Sequence, residues 1–185
     1  MTPINMTLAA VAALAAAGAA KKRGSSNAQG CDIWQIDPEW GEDYPGDRDG
    51  ADIADDVLAL FRAAGVRPSN REEHTLACLD DDGTVLGGAA YGYSYEGFGE
   101  DAHVEFVFSV VVDPKARRRG IAQALVKELE DIAESMSDFE SPVKIEAQVV
   151  NPNMAKLLDK MGFKSTAYDG KWKPAEPYYE KDLMQ

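Results

Sequence analysis

An α/β domain with a central sheet flanked by helices, preceded by a separate alanine-rich helix, is the fold this sequence predicts. Three observations predict it. From Cys31 onward, short β-rich runs alternate with helical patterns in the order β-α-β-β-β-α-β-α-β-β. An apolar strand ending at Val112 passes through a turn at Asp113-Pro114 and a basic stretch into the strongest helical pattern of the chain. Residues 1–30 differ in composition from everything after them.

The elements follow in order. Thr2-Pro3 has the form of an N-cap followed by proline at the first helical position. Ile4 to Ala20 then contains nine alanines and no charge, Lys21-Lys22-Arg23 ends it, and Gly24 to Gly30 reads as a flexible linker. Three readings compete for this segment. A secretory signal wants a positive start, which is absent. A membrane span finds 17 residues at the lower limit, and alanine drives insertion weakly. A packing helix fits the three-to-four spacing of Ile4, Leu8, Val11 and Leu14, with small residues between them that permit close approach.

After it, Cys31 to Ile36 is a short apolar strand, and Asp37 to Gly50 is a loop rich in Pro, Gly and acids. Ala51 to Ala64 reads as a helix with Ile53, Val57, Leu58 and Phe61 on one face and Gly65 as its stop. Thr75 to Leu79 and Thr84 to Tyr95 are strands joined by the hairpin signal Asp80-Asp81-Asp82-Gly83, and Ala102 to Val112 is the next strand. Ile121 to Met136 is a helix whose stripe is Ile121, Leu125, Leu129, Ile132 and Met136. Lys144 to Val150 is a strand and Asn153 to Met161 a short helix stopped by Gly162. Phe163 to Tyr168 and Tyr178 to Leu183 are the last two strands.

Composition narrows the function. A chain of 185 residues is long enough for one domain with a well-buried core. Its net charge of −13 argues against general nucleic-acid binding, which wants a basic face. An acidic surface attracts cationic substrates such as amines, although solubility is the plainer and commoner explanation. Cys31 and Cys78 form neither a metal spacing nor a disulfide framework, and reduced thiols in a cytosol-like compartment are the natural expectation, with one bridge still open. His74 and His103 stand alone, so no metal site is expected.

Twelve residues, Val111 to Ala122, carry the chemistry. A turn opening a helix leaves backbone N–H groups without intrahelical partners at the positive end of the helix dipole, a ready site for a diphosphate. Gly120 has no Cβ and Ala122 little more, so a phosphate can approach the backbone closely, and Arg117, Arg118 and Arg119 keep the local potential positive. The plain alternative is a solvated basic start to an amphipathic helix. Arg117-x-x-Gly120-x-Ala122 resembles the Q/R-x-x-G-x-G/A signature of the GNAT acetyltransferase superfamily, which cradles the pyrophosphate of acetyl-CoA. Asn151-Pro152-Asn153-Met154-Ala155 through Gly162-Phe163 is similar to a second family segment, N-x-x-A-x-x-x-Y-x-x-x-G-F, with its alanine displaced by one position. The resemblance covers residues 31–183. It implies the GNAT acyl-CoA N-acyltransferase fold, a mixed and mainly antiparallel central sheet, although many members carry two helices between the first two strands and this chain shows one.

The resemblance also implies a site. The backbone amide of Val110 would polarise the thioester carbonyl, Val111 and Val112 would run beside the pantetheine arm, and the amides from Arg117 through Ile121 to Ala122 would hold the diphosphate, with Asn151 contributing to cofactor binding. Glu105 is the candidate base, with a register one residue off that a bulge would have to correct. His103 is the alternative. Where the family commonly carries an acid tyrosine this chain has Leu158, so Tyr168, or else Tyr178 or Tyr179, is the candidate acid. Tyr91, Tyr93 and Tyr95 share one strand face, as an aromatic wall for the acceptor or as a packing ladder.

The expectation is therefore an acetyl-CoA-dependent N-acetyltransferase acting on a small amine or a protein amino group, in residues 31–185. The rival is a catalytically weak GNAT-fold docking component of a larger assembly held through residues 1–20. Expected partners are acetyl-CoA as cosubstrate, an amine-bearing acceptor, and another copy or assembly docked on the N-terminal helix, with membrane contact the lesser alternative. The expected location is cytoplasmic, or within an intracellularly assembled particle.

Overall fold

The computed structural model describes residues 21–26, 30–37, 44–68, 72–97, 102–136, 142–149, 151–166 and 178–183. The alanine-rich segment 1–20 lies outside them. Among the described residues, eight strands form one sheet: β1 (Lys21–Ser26), β2 (Cys31–Ile36), β3 (His74–Leu79), β4 (Val85–Glu96), β5 (His103–Val112), β6 (Val143–Gln148), β7 (Lys164–Thr166) and β8 (Tyr178–Asp182). Their order across the sheet is β1-β2-β3-β4-β5-β6-β8-β7. Every pairing is antiparallel except β5 with β6. Those two are joined by a helix, the connection that a parallel pair requires.

Three α-helices of the described residues flank the sheet: α1 (Gly50–Ala64), α2 (Ile121–Glu134) and α3 (Pro152–Lys160). Asp49 caps α1 by accepting from the Ala51 amide at 2.6 Å, and Gly65 closes it with φ 70°, a left-handed turn that glycine adopts without steric cost. Ile53, Val57 and Phe61 bury that helix against Ile36, Ala77, Leu79, Ala90 and Val111. Leu58, expected on the same face, is 44% exposed, because it lies too far round the helix from the Ile53–Val57–Phe61 line. On the opposite face of the sheet, Ile121, Leu125, Leu129, Ile132 and Met136 are all buried with Leu76, Val104, Phe106, Phe108 and Ile145. Each such aliphatic side chain contributes roughly 1.5–3 kcal/mol by leaving water. Leu158 and Phe163 join the same layer.

Two expectations are corrected. Residues 21–26, read as the end of a helix and the start of a linker, form β1, paired along β2 from Lys21↔Gln35 to Ser26↔Cys31 with an irregularity between Lys22 and Gly24. The sheet thus begins ahead of the boundary expected at residue 31. Cys31 and Cys78, expected as reduced thiols, are joined in a disulfide. The register explains it: Ile33 stands opposite Cys78, which puts Cys31 diagonal to Cys78 on the same face, with Cα atoms 5.6 Å apart. No helix of the described residues is long and apolar enough to cross a membrane.

Candidate active site

The site begins where two central strands part. β5 and β6 stay paired from Val104↔Val143 to Phe108↔Ala147 and no further. β5 continues to Val112 while held on its other side by β4, out to Gly87↔Val112. Ser109 to Val112 therefore border an opening. The direction of each amide follows from alternation along the strand. The Val104 amide donates to Pro142 O at 2.9 Å, on the β6 side, and the Asp113 amide donates to Leu86 O at 3.0 Å, on the β4 side. Even-numbered amides of β5 thus face β6, and beyond Phe108 those of Val110 and Val112 face the opening. Val111, also expected to serve the cofactor, turns its amide to β4, and its side chain is buried beneath α1.

The basic loop follows directly. Asp113 accepts from the Lys115 amide at 2.6 Å and so caps a 3-10 turn, Pro114–Ala116. The chain is extended at Arg117 and left-handed at Arg118 (φ 65°), then left-handed again at Gly120 (φ 83°) before α2 starts at Ile121. A non-glycine residue in that region costs energy and persists only where its surroundings enforce it. Among the described residues, no side chain caps α2. The first-turn amides from Ile121 onward therefore point out from the helix end with no side-chain acceptor. Arg117, Arg118 and Arg119 are exposed around that end. Arg117 reaches back toward Val112 O (3.5 Å), and Arg119 toward Gly30 O (3.4 Å). Gly87 lets the helix end seat closely, since a Cβ there would stand 2.9 Å from Val111 O and 3.0 Å from Ile121 Cγ2.

The other candidates divide. Asn151 caps α3, its Oδ1 accepting from the Asn153 amide at 2.8 Å, so the side chain has a structural task. Glu105 lies on the part of β5 still paired to β6, opposite Ser94 and Lys144. The β4–β5 and β5–β6 registers run without a shift, so no bulge turns Glu105 to the other face. Five residues separate it from Val110, roughly 16 Å of strand. His103 is two residues further away. Leu158 is fully buried in the α2-side core, so its position on α3 supplies no acid. Tyr168 lies outside the described residues. Tyr179 is buried opposite Ala147, in the last row before the strands part, and Tyr178 is half-buried opposite Gln148, one row beyond.

The tyrosine face is a ladder. The rings of Tyr91 and Phe106 stack at 5.4 Å, His74 lies against Tyr91 at 5.1 Å and Tyr93 at 6.0 Å, and Tyr93 meets Tyr95 edge-on. Tyr95 stands opposite Val104, six residues from Val110, so the exposed end of the ladder is roughly 20 Å from the opening. Cross-strand packing accounts for it.

Two arrangements were not legible in the sequence. Lys144 bridges Glu146 at 2.7 Å and Glu180 at 2.8 Å. Burial alone would lower its ammonium, but these carboxylates hold it well above the usual lysine range. Ser109, the first residue of β5 past the pairing, is buried at 8% exposure and donates to Glu72 Oε1 at 3.0 Å. The alternation of β5 hints at Ser109, but only the fold brings Glu72 to it. No cluster of three or more His, Cys, Asp or Glu suited to a metal occurs among the described residues.

A half-open mixed sheet, with strand amides facing the opening and an uncapped helix end beside it, defines a class of acyl-group-binding fold. The model of the acetyltransferase (GNAT) family matches residues 33–163, and the chain belongs to that family. No curated protein matches the sequence. Among solved structures, a mutant AtaT toxin bound to the C-terminus of the antitoxin AtaR and acetyl-CoA is similar with a TM-score of 0.53 and 13% identity, over 83% of this chain and 94% of that one. A protein of Klebsiella pneumoniae described as an acyl-CoA N-acyltransferase gives 0.53 and 17% identity, over 84% and 99% of the two chains. Arabidopsis thaliana NAA60 in complex with acetyl-CoA gives 0.51 and 12% identity, over 81% and 96%. At these identities the likeness is one of fold.

Proposed function

We propose that this chain is an acetyl-CoA-dependent N-acetyltransferase that acetylates an amine, either a small molecule or a protein amino group. The observation that carries the reading is the pairing of an open strand edge at Val110 and Val112 with the uncapped start of α2 at Gly120. The presence of acetyl-CoA in two structures of similar fold supports it. The amides of Val110 and Val112 supply donors for a thioester carbonyl and a pantetheine arm, and developing negative charge on the carbonyl oxygen is what such fixed donors stabilise. The amides from Arg117 to Ala122, with three arginines around them, suit a diphosphate, which binds a helix start through N–H groups and dipole together. Tyr168 is the proposed acid for the leaving thiolate, and Tyr168→Phe should lower the rate by roughly 10²–10⁴ where protonation limits turnover.

A second reading, a docking component with weak catalysis, draws on one observation, the complete burial of Leu158 at the place where relatives commonly carry tyrosine. A thiol near pKa ~8.5 leaves tolerably without protonation, so that loss slows the reaction and does not forbid it.

Gly120→Val tests the reading. It sets a branched side chain at a left-handed φ of 83° where the phosphate would approach. Calorimetry with acetyl-CoA should show binding by the wild type and a loss of about tenfold or more in the variant, with each ~1.4 kcal/mol of lost contact worth one decade. Equal affinities in two proteins of matching circular dichroism would remove the basis of the reading.

A further inference from the structure

We infer that the acceptor's ammonium group is received by the Glu72 carboxylate, with Ser109 as the residue that positions it. This rests on the proposed acetyl transfer and names the group that prepares the nucleophile.

Ser109 is the one residue classed as polar that is buried among the described residues. It is odd-numbered on β5 and so shares a face with Val111, the α1 side, while the amide of Val110 beside it faces the opening. Its neighbours on that face of β4 are small: Ala90 stands directly opposite, and Gly92 lies diagonal to it. Small residues leave room above the sheet at this point. Into that room Glu72, from the segment leading into β3, brings Oε1 to 3.0 Å from Ser109 Oγ, across 37 residues of sequence. Glu72 is half-buried as a residue and its Oε2 is buried, so its carboxylate is held in place by the fold beside the end of the β5–β6 pairing. Glu105, on the closed part of the sheet, lies several residues further from Val110 than Ser109 does.

Chemistry says what a carboxylate there can do. A primary amine of pKa ~10.4 arrives as an ammonium ion and cannot attack until it loses a proton. A half-buried carboxylate beside the opening attracts that ion and takes the proton. The neutral nitrogen then forms the C–N bond to the acetyl carbon as the C–S bond breaks. The nitrogen's second proton ends on the departing thiolate, and Glu72 returns the first to solvent. Products are the N-acetylated amine, coenzyme A and one proton. The Ser109 hydroxyl donates to Oε1 and so fixes which oxygen faces the amine.

The test uses the full chain and a panel of primary amines: a lysine amide, a dipeptide amide with a free N-terminus, and spermidine. Transfer is read as thiol release over pH 6.5–9.5, with acetyl-CoA binding measured in parallel. With the best acceptor, Glu72→Gln should lower kcat/KM by roughly 10²–10⁴ at pH 7, and the deficit should shrink as pH approaches the amine's own pKa. Acetyl-CoA affinity should stay within about twofold, since only the acceptor side has changed. Ser109→Ala should show a smaller loss with the same pH trend, and Glu72→Asp a partial recovery. Unchanged transfer by Glu72→Gln, or a larger low-pH loss in Glu105→Gln, overturns the inference while leaving acetyl transfer intact. A wild type that fails to bind acetyl-CoA, or binds it and acetylates no amine in the panel, overturns the underlying reading and this inference with it.

Discussion

α1 packs closely on the sheet at Gly88. A Cβ there would stand 2.6 Å from Val57 Cγ1 and 3.0 Å from the Leu76 carbonyl oxygen. Val57 is buried and stiff at χ1, and the carbonyl is part of a strand, so neither yields cheaply. Gly88→Ala should destabilise the domain by about 1–3 kcal/mol, seen as a lower urea midpoint at unchanged slope. His74 gives a pH-dependent counterpart. Burial lowers the pKa of its imidazole, partly offset by the charge of Glu73, although the side chain keeps a solvent-exposed part against Tyr91 and Tyr93. A folded pKa below the unfolded one means the unfolded chain binds more protons as pH falls past about 6.5, so the folded state loses stability there. The effect is small because water screens an exposed ring. His74→Phe keeps the ring contact and cannot titrate. Its urea midpoint should fall less than the wild type's between pH 7 and pH 5, and parallel falls would discount His74 as a contributor.

At the scale of elements, the Cys31–Cys78 bond ties β2 to β3 across 47 residues of sequence, a span that includes all of α1. Closing a loop of that length restricts the unfolded chain, so reduction should lower stability by about 2–4 kcal/mol. Thermal unfolding with and without a phosphine reductant measures it, and an unchanged midpoint would mean the bond contributes nothing. Two cysteines at such a spacing say little on their own; the bond depends on β2 and β3 being neighbours in one register. The same division runs through the fold. Ile121, Leu125, Leu129 and Ile132 spell out α2 because a helix writes its buried face into a local period, and Asp80-Asp81-Asp82-Gly83 spells out its hairpin through turn chemistry. Lys21 to Ser26 carries no β-forming residue, and only its place beside β2 makes it a strand. In the site, the Arg117–Ala122 loop was legible because its geometry is set by consecutive residues. The opening at Val110 was legible only through the family resemblance. Glu72 and Ser109 were not, since 37 residues and a change of element separate them.

For the whole molecule, the placement of β1 changes what can be removed. The alanine-rich residues 1–20 carry the stripe Ile4, Leu8, Val11 and Leu14, and an isolated helix of that length is marginal in water, so we expect it to be held by another chain or an apolar surface. The first described strand starts at Lys21, and Arg119 reaches Gly30 just ahead of β2. Cutting at residue 20 leaves that arrangement whole. Cutting at residue 28 strips β1 and bares the edge of β2, an unpaired strand that invites association. The shorter deletion should therefore give a monomer by light scattering with acetyl-CoA affinity unchanged, from a full-length chain of larger mass. The longer one should be less stable and prone to aggregate, even though the net charge of −13 on the full chain opposes aggregation. A full-length chain that is itself monomeric and soluble without detergent, with the same mass behaviour after removal of residues 1–20, would defeat the docking role. A shorter deletion that aggregates would show that residues 1–20 belong to the domain's own fold.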